Sequence, residues 1–231
     1  MKTLFFAVLL VFQIHTANTQ THDSDPLIIG SVATIQSRIL NEERKLNIYL
    51  PDQYDASRTY PVLYLLDGSM NEDFMHISGL VQYFNLQFGM PETIVVGIVN
   101  RDRKSDFTFA TDHPEMKEML PTAGNSENFI RYIEEEIQPF IDRTYPTTGT
   151  KYLVGQSLGG LLASEILLKK PHLFTHYLIV SPSLWWDDQS LLNKSGEYLS
   201  QHDNKPPYVY ISVGGDEHPV MKKMRRNCIK S

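Results

Sequence analysis

The stretch KYLVGQSLGGLLASEILLKK, residues 151–170, decides the fold of this chain. Its first part contains YLV, which is typical of a buried strand, and its last part carries apolar residues at helical spacing. Ser157 lies between the two parts, with Gly155 and Gly159 two residues to either side. A strand, a tight turn and a helix in this order indicate an α/β unit with Ser157 at the turn.

The Gly-x-Ser-x-Gly pattern at such a turn predicts a catalytic nucleophile. The glycines leave room for a strained backbone that lifts the serine Oγ clear of the sheet, and the helix N-terminus stabilises developing negative charge. In the alternative interpretation the glycines only let the helix pack close to the strand, and Ser157 caps the helix. Both interpretations place a helix directly after Ser157.

An acyl-transfer serine also needs N–H donors for the oxyanion of the reaction intermediate. We expect one donor from the backbone of Leu158 and a second from the DGS segment at 67–69, which follows an earlier strand. Gly68 allows a close approach there, and Ser69 or Met70 supplies the N–H. The alternative is that DGS is only a turn that ends the strand.

Further elements alternate along the chain on both sides of this unit. A polar NEER separates two β-rich runs in residues 32–50, which predicts an N-terminal hairpin. Nearly continuous apolar runs at 61–68 and 92–100 indicate buried parallel strands around a crossover helix. An amphipathic helix over 125–145 and strands at 176–181 and 207–213 follow. The sequence therefore predicts an α/β fold with a mostly parallel central sheet and flanking helices.

The start of the chain predicts export. Lys2 precedes the apolar run LFFAVLLVFQI, which is too short to span a bilayer, so residues 1–19 are predicted to be a signal peptide. The mature chain then begins near Gln20 and is secreted or periplasmic. Cys228 is the single cysteine of the 231 residues, which excludes an internal disulfide. The formal net charge of -6 argues against a nucleic-acid partner, no later segment is as long as a membrane helix, and no metal-binding spacing occurs.

Six segments in order, YPVLYLLDGS, VVGIVNRDRKSDFT, NFIRYIEEEIQPFIDRTY, VGQSLGGLLA, PHLFTHYLIVSPSLWWD and YISVGGDE, resemble the "Putative esterase" family of α/β-hydrolases. The likeness is strongest to its siderophore-esterase-like branch, and the family is similar to S-formylglutathione hydrolases. The resemblance implies an α/β-hydrolase fold over residues 20–217 that hydrolyses carboxylic esters of small molecules. It also implies a triad of serine, acid and histidine, and this chemistry needs no cofactor.

The resemblance assigns roles to particular positions of this sequence. Ser157 matches the nucleophile, and Glu217 matches the acid, with Asp216 as the second candidate. Gly68 and Ser69 fall in the oxyanion region. Trp185 and Trp186 correspond to the cleft wall and are predicted to contact substrate. A charged loop with Arg101, Asp102, Arg103 and Asp106 borders the site, and Arg103 is also predicted to bind substrate. For the charged loop, an ordinary solvated loop is an equally good interpretation.

The triad histidine has no clear match. In α/β-hydrolases it follows the acid after one more strand, whereas residues 218–231 end in VMKKMRRNCIKS with no strand pattern. We expect the last strand, the histidine loop and the closing helix to be absent, which leaves one side of the sheet exposed. His218 is the one histidine near the required place, and the alternative is that it is an exposed loop residue. The sequence predicts a serine carboxylic ester hydrolase; the alternatives are a ligand-binding remnant without the base, or an acyltransferase of the same fold.

Overall fold

The computed structural model describes residues 24–202 and 206–215, and these residues contain seven strands in one sheet. The strands are β1 Ser31–Ser37, β2 Glu42–Tyr49, β3 Tyr60–Leu65, β4 Ile94–Ile98, β5 Thr147–Gln156, β6 His176–Val180 and β7 Tyr208–Ser212. Their order across the sheet is β1-β2-β4-β3-β5-β6-β7. Every strand predicted from the sequence is present.

The sheet combines an antiparallel edge with a parallel body. β1 and β2 form the predicted hairpin, with Ser31 opposite Ile48, and β2 continues antiparallel onto β4. β4, β3, β5, β6 and β7 are parallel to their neighbours. Since the fold is a mostly parallel sheet with an N-terminal hairpin and flanking helices, the predicted fold class is confirmed.

Eight α-helices connect and cover the strands. They are α1 Phe74–Phe88, α2 Arg103–Phe107, α3 Pro114–Met119, α4 Ser126–Tyr132, α5 Gln138–Thr144, α6 Leu158–Lys169, α7 Ser190–Asn193 and α8 Ser195–Ser200. The sequence patterns predicted α1, α6 and the long helix that begins with α4. They missed α2, α3, α7 and α8, because helices of four to six residues carry too little periodicity to stand out.

The long predicted helix over 125–145 is interrupted by a π-helical turn. Ile133–Ile137 form this turn between α4 and α5, and Pro139 follows in the first turn of α5. Proline has no N–H to donate and its ring crowds the preceding turn of an α-helix, so the wider turn accommodates Pro139 without ending the helix. The apolar side chains Phe129, Ile133 and Ile137 stay fully buried on one face.

The two faces of the sheet are covered unequally. On one face α4, α5 and α6 pack over the large hydrophobic cluster that includes Leu153, Leu161 and Ile179. On the other face α1 covers a smaller cluster containing Leu63, Phe74 and Val95. Over β5, β6 and β7 this second face carries Tyr152, His176 and Tyr208, whose rings follow one another at 4.6 and 5.6 Å between centroids. Tyr208 and Tyr210 are more than half exposed, so this part of a parallel sheet lacks the usual second layer among the described residues.

The chain order around β3 fixes where a site can form. From β3 the chain crosses through α1 to β4 on one side, whereas β5 pairs with β3 on the other. The strand order thus reverses at β3, which makes this place a topological switch point of the sheet. In open α/β sheets, ligands bind at the carboxyl ends of the strands at a switch point. The DGS loop follows β3 and Ser157 follows β5, so both meet there. Among the described helices, none has the length and apolar character needed to span a bilayer.

Candidate active site

Ser157 occupies a strained turn between β5 and α6. Its backbone angles are φ 56° and ψ -117°, a combination that non-glycine residues rarely adopt. The turn is held by hydrogen bonds in which Ser157 N–H donates to Val180 O at 3.1 Å and Ser157 O accepts from Ser183 N–H at 3.0 Å. Its side chain makes no capping bond to α6, so in this structure Ser157 does not act as the helix cap of the alternative interpretation.

The neighbouring glycines are required by close backbone approach. A Cβ on Gly155 would lie 2.4 Å from Gly159 O, and a Cβ on Gly160 would lie 2.9 Å from Pro182 Cα. Real Cβ atoms do not tolerate backbone contacts this short. The strand and helix therefore cross at a distance that only glycine permits, which is the geometry of a nucleophile elbow.

The loop after β3 approaches the elbow from the side. Asp67 has a positive φ of 56°, and a Cβ on Gly68 would lie 2.3 Å from Gly97 Cα. Gly68 thus provides the predicted close approach. Its N–H, however, donates to Ile98 O at 3.0 Å, so Gly68 is not an oxyanion donor, and the prediction is corrected in this respect.

The N–H groups of Leu158, Ser69 and Met70 remain as candidate oxyanion donors, and the first two have contacts that bear on this role. Leu158 is the first residue of α6, so its N–H has no acceptor within the helix. Ser69 N–H lies 3.3 Å from Glu72 Oε2, a long contact with an exposed carboxylate that a substrate oxygen can displace. One donor comes from each side of the switch point.

The two tryptophans of the SPSLWW segment have different environments. Trp186 is fully buried and its Nε1–H donates to Phe109 O at 2.9 Å. Because its ring has no exposed surface, the prediction that Trp186 contacts substrate is wrong for this structure. Trp186 instead lies beneath the surface of the cleft wall. Trp185 is half-buried, with its ring 6.2 Å from that of Trp186 between centroids, and it can line the cleft.

The charged loop is mostly structural. Asp106 is buried and receives two hydrogen bonds from Arg44, at 2.8 and 2.9 Å. Burial raises the pKa of the Asp106 carboxyl, and the Arg44 guanidinium opposes this shift. Asp102 caps α2 by accepting from the N–H groups of Lys104 and Ser105. Arg103 pairs with Asp67 at 2.6 Å, so these three residues are not the solvated loop of the alternative interpretation.

Ser183 is a site residue that the sequence interpretation missed. Its Oγ lies 3.4 Å from Ser157 Oγ, and the residue is almost fully buried. The signal for it was available, because Ser183 follows the carboxyl end of β6, directly beside β5. Residues after neighbouring parallel strands meet at the same edge of the sheet.

The predicted acid and base lie outside the described residues. This applies to Asp216, Glu217 and His218, and to the predicted signal peptide as well. Five histidines lie within 24–202. His76 belongs to α1, and the other four make contacts elsewhere: His113 faces Asp187, His172 faces Glu134, His176 bonds to Thr175 and His202 bonds to Leu168 O. None of these contacts involves Ser157. Within the same residues no cluster of histidine, cysteine and carboxylate side chains fits a metal ion.

A cavity of about 620 Å³ opens beside the DGS loop. Polar and basic side chains dominate its lining, including Lys45, Asn47, Asn100, Arg101 and Arg103, and Ser69 lies at its border. The cavity is large enough for a small organic molecule. It connects the candidate oxyanion donor Ser69 with a wall that carries Lys45, Arg101 and the carboxylate of Glu72.

Comparison with known proteins gives a consistent picture. The model of the family described as "Putative esterase" matches residues 37–230. The ferri-bacillibactin esterase of Bacillus subtilis is 31% identical over 209 residues, which cover 81% of this chain and 71% of that protein. The siderophore enterobactin esterase of Emericella nidulans is 31% identical over 135 residues, covering 53% of this chain and 45% of that protein.

Solved structures show the same relationship. The BES protein from Bacillus cereus superposes with a TM-score of 0.80 at 27% identity, covering 92% of this chain and 85% of that one. An IroE-like serine hydrolase from Shewanella oneidensis superposes with a TM-score of 0.76 at 30% identity, covering 87% of this chain and 68% of that one.

Proposed function

The chain belongs to the "Putative esterase" family, and from this membership we propose that it is a carboxylic ester hydrolase with Ser157 as its nucleophile. The observation that carries the proposal is the backbone of Ser157, whose positive φ between Gly155 and Gly159 presents Oγ at the switch point of the sheet. Strained serines at this place in a parallel sheet are typical of hydrolase nucleophiles. The similarity to a protein described as a serine hydrolase supports the same assignment.

The proposed reaction proceeds in two steps. Ser157 Oγ attacks the ester carbonyl carbon while a base removes its proton, and the tetrahedral oxyanion is bound by the N–H groups of Leu158 and Ser69. Collapse breaks the carbon–oxygen bond to the alcohol, which leaves with the proton and gives an acyl-enzyme. Water then attacks the acyl carbon, releasing the acid and restoring the serine. Glu217 or Asp216 as the acid and His218 as the base remain our proposals for the other triad members.

For the substrate we propose a siderophore-like ester with polar or anionic groups. Two curated relatives are named as siderophore esterases. The cavity beside Ser69 carries the cationic side chains of Lys45 and Arg101 together with the carboxylate of Glu72, and the two cations favour a ligand that offers oxygen acceptors. We also propose that the protein acts outside the cytoplasm, on the basis of the signal-peptide pattern in residues 1–19.

Hydrolysis of a chromogenic ester tests the nucleophile directly. Purified protein is expected to release p-nitrophenol from p-nitrophenyl butyrate and to be labelled at Ser157 by a fluorophosphonate. Ser157→Ala should abolish both signals. Ser164→Ala is the matched control, because Ser164 lies on the same helix with its hydroxyl bonded to Gly160 O, remote from the turn. Unchanged turnover in Ser157→Ala would refute the assignment.

A second candidate function is ligand binding without turnover. It is favoured by the surroundings of Ser157 Oγ, which among the described residues contacts the Ser183 hydroxyl at 3.4 Å and no histidine. This function predicts saturable binding of an intact ester, detected by calorimetry, with neither hydrolysis nor fluorophosphonate labelling. Acyl transfer, the third possibility, is distinguished by product: added alcohol acceptors would be esterified in preference to water.

A further inference from the structure

The guanidinium of Arg103 joins two separate loops of the candidate site. Its Nε donates to Asp67 Oδ1 at 2.6 Å and its Nη2 donates to Asp67 Oδ2 at 2.8 Å. The same Nη2 also donates to the backbone oxygen of Gln156 at 3.3 Å. We refer to Arg103, the Asp67 carboxylate and the Gln156 carbonyl as the Arg103 clasp.

Asp67 has a positive φ, a backbone conformation that its side-chain partners help to stabilise. Its φ of 56° is in the left-handed region, which is unfavourable for a side chain with a Cβ. The carboxylate is nearly buried and accepts a further hydrogen bond from Asn100 Nδ2 at 2.6 Å. The two-pronged contact with Arg103 therefore fixes both the charge and the orientation of Asp67.

Each end of the clasp adjoins a candidate oxyanion donor. Asp67 lies two residues before Ser69, and Gln156 lies two residues before Leu158. The clasp thus determines how far apart the two N–H groups stand and how they are directed. Oxyanion stabilisation depends on donors that are already in place when charge develops.

We infer that Arg103 is a positioning residue: it holds the loop after β3 and the turn after β5 at the spacing that an oxyanion site requires. This inference rests on the proposed function, and it replaces the prediction that Arg103 binds substrate. The charge of Arg103 is neutralised by Asp67, and this hydrogen bond raises the pKa of the guanidinium despite partial burial. An arginine committed in this way has little charge left to offer an anionic ligand.

The kinetics of the Arg103→Met variant on a neutral short-chain ester distinguish a positioning role of Arg103 from a substrate-binding role. Positioning predicts that kcat falls about 10- to 100-fold while KM stays within about threefold, because displaced donors weaken transition-state binding and leave ground-state binding intact. Arg103→Lys should restore little of the rate, since a lysine ammonium is a point charge and cannot form the two-pronged contact with the Asp67 carboxylate. Arg131→Met is the matched control: Arg131 makes the same two-pronged contact, with Glu135 on an exposed helix face, and kcat should not change.

The substrate-binding role predicts a different result. In that case the neutral ester is hydrolysed at the normal rate, and KM rises for an ester with an anionic group only. This outcome would overturn the inference. Asp67→Asn provides a second variant and should reproduce the kcat loss, with the double variant Arg103→Met/Asp67→Asn no slower than the slower single variant.

Hydrogen–deuterium exchange tests the clasp even if the wild-type protein hydrolyses no ester. Peptides that cover 66–70 and 156–160 should exchange at least threefold faster in Arg103→Met and in Asp67→Asn than in the wild type. The exchange rate of β6 should not change in these variants. The control variant Arg131→Met should exchange at the wild-type rate in all three segments. Absence of ester hydrolysis in the wild type would then count against the proposed function alone. Unchanged exchange in both segments would show that Arg103 does not hold the loops, and the inference would fail.

Discussion

Gly155 shows how strictly single positions constrain the turn that presents Ser157. The substitution Gly155→Ala places a methyl group 2.4 Å from Gly159 O, a backbone atom that cannot move away alone. We expect a loss of about 1–3 kcal/mol in the free energy of unfolding, the usual cost of overpacking, together with loss of the serine activity. Urea denaturation and fluorophosphonate labelling measure the two effects.

The same strand provides a control for this prediction. Gly149 also lies in β5, and a Cβ there meets nothing within 4 Å. Gly149→Ala should therefore change the unfolding free energy by less than about 0.5 kcal/mol. Equal losses in the two variants would show that the strand, and not the crossing with α6, is sensitive to substitution.

At the scale of single residues, the sequence identified positions whose spatial neighbours are also close to them along the chain. Ser157 and Gly155 could be recognised because the turn, strand and helix that define them are contiguous. The Arg103 clasp and the burial of Trp186 could not, since each depends on segments more than 25 residues apart.

Among the elements, the short helix α2 carries Arg103 and Asp106 and depends on its cap. Asp102 accepts hydrogen bonds from the N–H groups of Lys104 and Ser105, at 3.1 and 3.0 Å. Asp102→Ala is expected to lower the unfolding free energy by about 1 kcal/mol at pH 7. Asp112→Ala, which removes an exposed carboxylate that caps no helix, should have an effect below about 0.5 kcal/mol.

The contribution of this cap depends on pH. Partial burial raises the pKa of Asp102, but the hydrogen bonds from Ser105 and Lys104 outweigh it, so the pKa is lowered overall. The cap therefore stabilises fully above the unfolded-state pKa of about 3.9, and the stabilisation is lost as the pH falls through the folded-state pKa. The difference between wild type and Asp102→Ala in urea denaturation should shrink below about pH 4. A difference that stays constant to pH 3 would contradict this origin.

Elements with a regular apolar period were predicted, and those without one were not. The seven strands and the helices α1 and α6 have either continuous apolar runs or helical stripes. The apolar stripe between 125 and 145 predicted one helix. The π turn within this helix follows from Pro139, and a single proline does not change the spacing of the apolar residues. Short helices such as α2 form from capping and tertiary contacts.

For the molecule as a whole, the face over β5, β6 and β7 that is exposed among the described residues is expected to promote aggregation. Tyr208 is 62% exposed there, and Phe88 at the end of α1 is 65% exposed within a group of aromatic side chains. The double variant Phe88→Glu/Tyr208→Glu should aggregate more slowly, as measured by light scattering at rising protein concentration. Its unfolding free energy should stay within about 0.5 kcal/mol of wild type per substitution.

Gln87→Glu separates the effect of charge from the loss of apolar surface. Gln87 is an exposed polar residue on α1 next to Phe88, so the variant adds a negative charge without removing an aromatic ring. It should slow aggregation much less. A destabilisation of more than about 2 kcal/mol in the double variant would instead mean that another part of the chain covers this face.

The global architecture was predictable because the alternation of strands and helices restricts the possible sheets to a few. What the sequence did not predict is that the hairpin joins the sheet through β4, since pairing between β2 and β4 is set by long-range register. That pairing places Lys45 and Asn47 beside the DGS loop, so it also shapes the cavity.

Trp185 and Trp186 give this protein an optical property that needs no label. They are the only two tryptophans in the chain, and both stand in the segment that follows β6 and borders Ser157. Essentially all of the emission excited at the red edge of the absorption band therefore originates at one wall of the cleft. The fully buried indole of Trp186 is expected to emit at shorter wavelength, whereas the partly exposed indole of Trp185 is expected to respond to solvent or ligand beside it. A change in intensity or wavelength during titration reports on that wall alone.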